Sequence, residues 1–272
     1  MVKRKASTTI PPNHASKQAC ADNYGSSDYW ENRYAVDSDN RNHCWYYTYA
    51  ELSPLLEHFL SNNQSVFEVG CGDVPLGEGI LAGDSNPEAD TEADTEAKRR
   101  VVCCDISPTV IKEMCKKSSS SVQYVVADAT KLSYADEEFD VVIDKGTLDA
   151  LISTNNKIGT KTAKACFSEM ARVCSVNGVV VVVSHLNAVT EEGMSWLDEV
   201  LVDSLQSTSL SKYRWSIEGN ISEADFEVVE NDSDEDGGGV GPCVYIIKKL
   251  RKSSRASSSS SSSTIPFTLS AH

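Results

Sequence analysis

"FDVVIDKGTLDALI", residues 139–152, is the stretch on which the fold turns. After Phe139 and Asp140 it runs apolar through Val141, Val142 and Ile143, meets the charged pair Asp144 and Lys145, breaks at Gly146 and resumes at Thr147 with helical spacing. A buried strand that passes into a helix through a carboxylate and a glycine marks one βα unit. In open α/β sheets that edge is where ligands gather.

Four further runs have the same character: "SVFEVG" at 65–70, "RVVCCD" at 100–105, "VQYVVAD" at 122–128 and "GVVVVVS" at 178–184. They are continuous rather than alternating, as expected of strands covered on both faces of a parallel sheet. Helical patterns at 48–61, 76–82, 107–117, 147–153, 160–174 and 190–206 fill the gaps. "RWSIEG" at 214–219 and "CVYIIKKL" at 243–250 have no helix between them and imply a closing antiparallel hairpin. The expectation is a doubly wound, mostly parallel seven-stranded α/β sheet of Rossmann type, with an antiparallel C-terminal hairpin and an N-terminal helical cap.

With 272 residues, the chain has room for one substantial core and two tails. Residues 1–22 are basic and Ser/Pro-rich, and 252–272 begin as a serine run; both read as disordered, leaving a domain at 23–251. The net charge of -15 is local: acids crowd Asp84 to Glu96, inside an insertion at 84–99 that repeats "ADTE", and again Glu223 to Asp236. Outside those two stretches acids and bases nearly balance. No basic footprint argues for a nucleic-acid partner. No apolar run reaches the roughly 20 residues of a membrane span, and a cytoplasmic protein is expected. The nine cysteines include no C-x-x-C pair and the five histidines no H-x-x-x-H, so no metal site is expected.

Candidate site residues sit at strand ends. Gly70 and Gly72 follow the first strand and let a ligand approach the backbone, with a helix N-terminus behind them. Pro75 occupies the place where the dinucleotide fingerprint requires glycine, which disfavours NAD. Asp105, Asp128 and Asp144 end the next three strands. Asp105 stands where an acid accepts ribose hydroxyls in nucleotide-binding folds. Each Asp taken alone serves equally well as a helix cap or turn residue.

These motifs resemble the class I S-adenosylmethionine-dependent methyltransferases. "EVGCGD" is similar to their first motif, "CCDIS" to the second-strand acid and "VADAT" to the adenine-contact loop. "YWENRY" at 29–34, "CWYYTYAELSPLL" at 44–56 and "DKGTLDALI" at 144–152 resemble the branch that methylates protein lysines, notably on translation elongation factor 1-alpha. The likeness covers about residues 24 to 250. It implies that Glu68 with Gly70, Cys71 and Gly72 holds the methionine part of the cofactor, Asp105 the ribose, and Asp128 with Ala129 the adenine, with Ile106 also a cofactor contact. Asp144, Lys145 and Gly146 would line the methyl-transfer opening, and a cap carrying Trp30, Tyr34 and Trp45 would cover the cofactor. Asp73-Val74 after the glycine loop and Asn177-Gly178 before the fifth strand depart from the usual family residues.

The implied activity is lysine N-methylation of a protein by S-adenosylmethionine. A small-molecule methyltransferase, or a catalytically silent cofactor-binding fold used as an interaction module, fits the same residues. The sequence leaves the oligomeric state open.

Overall fold

Strands buried on both sides are apolar at most positions, and the central strands follow that pattern. A computed structural model describes residues 24–36, 42–60, 64–83, 99–118, 121–153, 157–222, 240–252 and 264–271. Five strands pair in parallel: β1 (Ser65–Val69), β2 (Arg100–Asp105), β3 (Gln123–Val126), β4 (Phe139–Lys145) and β5 (Cys174–Ser184), in the order β3-β2-β1-β4-β5. On β1, Phe67 and Val69 join an apolar cluster with Val142, Phe167 and Val180. Its neighbour Val66 joins a second cluster with Leu56, Ile80 and Val141. Two faces are thus covered, and the sequence shows no alternation.

The covering helices are α1 (Ser27–Val36), α2 (Tyr49–Leu56), α3 (Gly77–Ala82), α4 (Pro108–Lys117), α5 (Thr147–Ile152), α6 (Lys157–Val173), α7 (Glu191–Trp196) and α8 (Asp203–Leu205). Local chemistry fixes their starts. At α2 the Thr48 backbone N–H donates to Glu51 Oε2 at 2.7 Å, half of a capping box. At α4, Ser107 Oγ accepts from Val110 N, Pro108 fills the first helical position, and Lys116 and Lys117 face the negative end of the helix dipole. The helix expected over 190–206 is not uniform: a π-helical stretch, Leu197–Val202, joins α7 to α8.

The hairpin forms as expected from β6 (Tyr213–Ile221) and β7 (Cys243–Arg251), with β7 lying between β5 and β6 and antiparallel to both. One expectation fails at the C-terminus. Part of the segment read as a disordered Ser-rich tail is an eighth strand, β8 (Phe267–Ala271), parallel to β6, so the sheet has eight strands rather than seven. The physical cause is a period of two: Ile265, Phe267 and Leu269 pack against the core. The basic tail 1–22, residues 84–98 of the acidic insertion, the second acidic stretch 223–236 and the serine run 253–263 lie outside the described residues. Arg99, at the end of the expected insertion, is buried and donates to the Ile80 carbonyl at 2.8 Å. Among the described residues no helix is long and apolar enough to cross a membrane.

Strand order reverses between β1 and β4. The C-terminal ends of these strands therefore flank a topological switch point, where the connecting loops part and leave a crevice.

Candidate active site

The loop leaving β1 is shaped by two left-handed glycines, Gly70 and Gly72, both at φ +58°. Between them the Cys71 N–H donates to the Cys104 carbonyl at 2.9 Å, and the Gly72 N–H donates to Asp105 Oδ2 at 3.0 Å. The loop is pinned to the end of β2 by both bonds. Glu68 lies beneath it, 1% exposed, accepting from Leu76 N at 2.9 Å, Gly77 N at 3.0 Å and Cys103 Sγ at 3.2 Å. Burial raises its pKa against those hydrogen bonds. The sequence reading placed Glu68 on the cofactor; in the structure it lies outside the cavity wall and holds the start of α3 instead.

A cavity of about 640 Å³ occupies the switch point, inside the ~300–1,000 Å³ range of small-ligand sites. Its wall brings together Trp30, Tyr34 and Trp45 from the cap; Gly70, Cys71 and Gly72; Asp105 and Ile106; Asp128 and Ala129; and Lys145 and Gly146. Asp105 is 6% exposed and accepts the Ser107 N–H on Oδ1 at 2.9 Å as well as Gly72 on Oδ2. Burial raises its pKa and the backbone bonds oppose that rise. At Asp128 both internal bonds, from Thr130 N and Thr130 Oγ1, fall on Oδ1. The cap is fastened over this wall by Glu31 of α1, which accepts from the hydroxyls of Ser107 and Thr109 and from Thr109 N.

Asp144 does not reach the cavity. It is fully buried and accepts Thr147 N at 3.2 Å and Leu148 N at 3.4 Å, so it serves as the carboxylate cap of α5. A strand-end Asp three residues before a helix turn satisfies orphan N–H groups more readily than it reaches outward. Burial, with the nearby Asp149 charge, pushes its pKa up to about 7. Lys145 does line the cavity, its ammonium donating to the Trp45 carbonyl at 3.3 Å. Gly146, at φ +84°, lets Tyr46 close over it: a Cβ there would lie 3.1 Å from the Tyr46 ring.

The wall residues Asp149 and His185 escaped the sequence reading. Asp149, on α5, accepts the Tyr46 hydroxyl and the His185 N–H on Oδ2 at 2.6 and 3.0 Å and the Ser184 hydroxyl on Oδ1 at 2.6 Å. His185 Nδ1 lies 2.9 Å from the same Oδ2. Burial acts to raise the Asp149 pKa, but the His185 imidazole and the two hydroxyls outweigh it and hold the carboxyl low. The signal was available: His185 follows the end of "GVVVVVS", the same strand edge that drew attention to Asp105 and Asp128.

This wall fits S-adenosylmethionine. Asp105 keeps acceptor capacity for a ribose diol, since a carboxylate has about four lone-pair sites and two are used internally. Asp128 Oδ2 can take an adenine amine, and the Gly70–Gly72 backbone and aromatic cap supply close approach and apolar cover. Among the described residues no group of His, Cys, Asp and Glu could hold a metal ion.

Comparison with known proteins agrees. Residues 83–182 match the family described as a methyltransferase domain. The "eEF1A lysine and N-terminal methyltransferase" of Mus musculus is 29% identical over 168 residues, and that of Xenopus laevis 32% over 169 residues; each match covers 61% of this chain. The chain spans 22% of the length of those relatives. "EEF1A lysine methyltransferase 4" of Mus musculus is 27% identical over 57% of this chain and 59% of its own length. A solved S-adenosylmethionine-dependent methyltransferase from Methanosarcina mazei covers 73% of this chain and 98% of its own at 14% identity and TM-score 0.48, a likeness too slight to decide anything further. In its strand order, in the glycine loop pinned to a second-strand acid and in these relatives, the chain is similar to the class I methyltransferases that use S-adenosylmethionine.

Proposed function

We propose that the chain is a protein-lysine N-methyltransferase whose substrate is translation elongation factor 1-alpha, met in the cytoplasm. The cofactor supplies an electrophilic methyl group on a sulfonium; the chain's residues bind and orient the acceptor and leave it unprotonated. Alignment matters most, because an in-line displacement needs its reacting atoms near 3–3.5 Å. The observation that carries the reading is the cavity's Gly146 end. Tyr46, Asp149 and His185 line it, and His185 keeps 57% of its side chain exposed, so the cavity meets solvent beside a carboxylate and an aromatic ring. Such a mouth suits a thin, flexible amine entering from a macromolecule. The activity for which the relatives are named supports the substrate.

Protonation is the obstacle, since a lysine of pKa ~10.4 is almost wholly charged at neutral pH. Tyr34, Trp45 and Tyr46 give low-dielectric walls that favour the neutral amine. Incubating the full chain and labelled S-adenosylmethionine with recombinant elongation factor is expected to put label on one lysine-containing peptide. Asp105→Ala is the control and should weaken cofactor binding at least roughly tenfold, the loss of one or more charge-assisted bonds of about 1.5–3 kcal/mol. Label on another extract protein but none on elongation factor would remove the substrate and leave the enzyme class.

A further inference from the structure

We propose that His185, held by Asp149 and Tyr46, is the group that takes the proton from the incoming substrate ammonium. This rests on the lysine-methyltransferase reading above. The cluster is assembled from three separate pieces of chain: the cap loop before α2 supplies Tyr46, α5 supplies Asp149 and the end of β5 supplies His185. All three line the cavity at the Lys145–Gly146 end, away from the strand-end acids Asp105 and Asp128.

The geometry sets the roles. Asp149 Oδ2 takes the Tyr46 hydroxyl at 2.6 Å and the His185 backbone N–H at 3.0 Å, while Nδ1 of the imidazole sits 2.9 Å away. A low-pKa carboxylate accepts only, so Nδ1 carries the hydrogen and Nε2 is the basic nitrogen. The Tyr46 ring lies nearly parallel to the imidazole, with centroids 6.4 Å apart and planes at 27°. Tyr46 is held in the left-handed region at φ +62°, a conformation that a bulky residue keeps only where its surroundings demand it. A strained tyrosine, a buried aspartate and a half-open histidine meeting at the mouth of a cavity form an orienting triad of the kind that prepares a general base.

The step balances. The substrate ammonium gives one proton to His185 Nε2, the freed lone pair forms the new C–N bond, and the C–S bond breaks with its electrons going to sulfur. The charge on His185 leaves to solvent through its exposed side. The groups facing His185 are Asp149 on α5, Tyr46 in the cap loop and Glu192 on α7. The Asp149 hydrogen bond raises the imidazole pKa against its burial, which improves its match to an amine.

The test uses the full chain and two readouts. Nitrogen-15 NMR of labelled histidine should show His185 as the Nδ1–H tautomer when neutral, titrating above the ordinary ~6.5, with Asp149→Asn lowering that pKa and scrambling the tautomer. In steady-state assays His185→Ala should lose at least roughly tenfold in kcat, keep its calorimetric Kd for S-adenosylmethionine within twofold, and recover part of the loss with added imidazole. An Nε2–H tautomer, or a His185→Ala enzyme within twofold of wild-type kcat, overturns the proposal while the lysine-methyltransferase reading stands. A wild-type chain that labels no protein at all overturns that reading first.

Discussion

Gly70 and Thr147 stand so close across the switch point that a Cβ built on Gly70 would lie 1.9 Å from Thr147 Oγ1. Thr147 is fixed there because its hydroxyl donates to the Val69 carbonyl at 3.2 Å, tying the start of α5 to the end of β1. Gly70→Ala therefore faces both a clash and a left-handed φ, the latter alone costing about 1–2 kcal/mol. It is expected to lower stability by at least ~2 kcal/mol in urea titration and to abolish calorimetric cofactor binding. The double variant with Thr147→Ala removes the hydroxyl but leaves the Thr147 Cβ position, at 2.9 Å, so stability should return only in part.

Asp144 gives a pH signature. Its pKa rises to about 7 in the folded chain, first from burial and then from the Asp149 charge, against about 3.9 when unfolded. The folded state thus binds the extra proton, and stability is full below about pH 4 and declines as pH rises to about 7. Asp144→Asn copies the protonated form and still offers one acceptor to the α5 N–H groups. The melting temperature of the variant minus that of the wild type should climb between pH 4 and 7 and then level off. A flat difference across that window would show that Asp144 does not titrate there.

The cap hangs on Glu31. Hydrogen bonds from Ser107 and then Thr109 hold its carboxyl below the usual range, so the clamp is intact above about pH 4.3 and fails as pH falls through the lowered value. Trp30 and Tyr34, on the same helix, line the cavity. Glu31→Ala should speed amide exchange in residues 27–36, leave exchange in β1 and β4 unchanged, and weaken S-adenosylmethionine several-fold. Unaltered exchange in α1 would mean that aromatic packing alone seats the cap.

What the sequence disclosed was set by what leaves a linear trace. Continuous Val runs reported two-sided burial, and the glycine loop and strand-end acids reported the crevice, because each signal is local. Glu68 and Asp144 misled for a shared reason: a strand-end acid can point outward to a ligand or back to orphan N–H groups, and only the partners decide. The pair Asp149 and His185, 36 residues apart in sequence, becomes a unit only when β5 lies beside β4. Lys249 makes the same point. In "CVYIIKKL" it sits next to another lysine, yet it is fully buried and donates to the carbonyls of Ala171 and Arg172 at the end of α6 and of Cys174 at the start of β5.

The eighth strand was legible and overlooked, since "IPFTL" at 265–269 alternates but follows a serine run. Its packing is specific. A Cβ on Gly219 of β6 would come 3.1 Å from Leu269 Cδ1 and 3.3 Å from the Phe267 ring, so these side chains cover a patch of β6 that has no side chain of its own. The Ile217 N–H also donates to the Pro266 carbonyl at 3.0 Å, extending the ladder. Removing residues 264–272 uncovers Phe267 and Leu269 contacts worth about 1–3 kcal/mol together and bares the edge of β6, a template for intermolecular pairing. The truncated chain should melt several degrees lower and show concentration-dependent aggregation by light scattering, while cofactor affinity, set at the opposite side of the sheet by β1, β2 and β4, stays within twofold. Equal melting temperatures for the two chains would mean that β8 contributes nothing to the stability of the sheet.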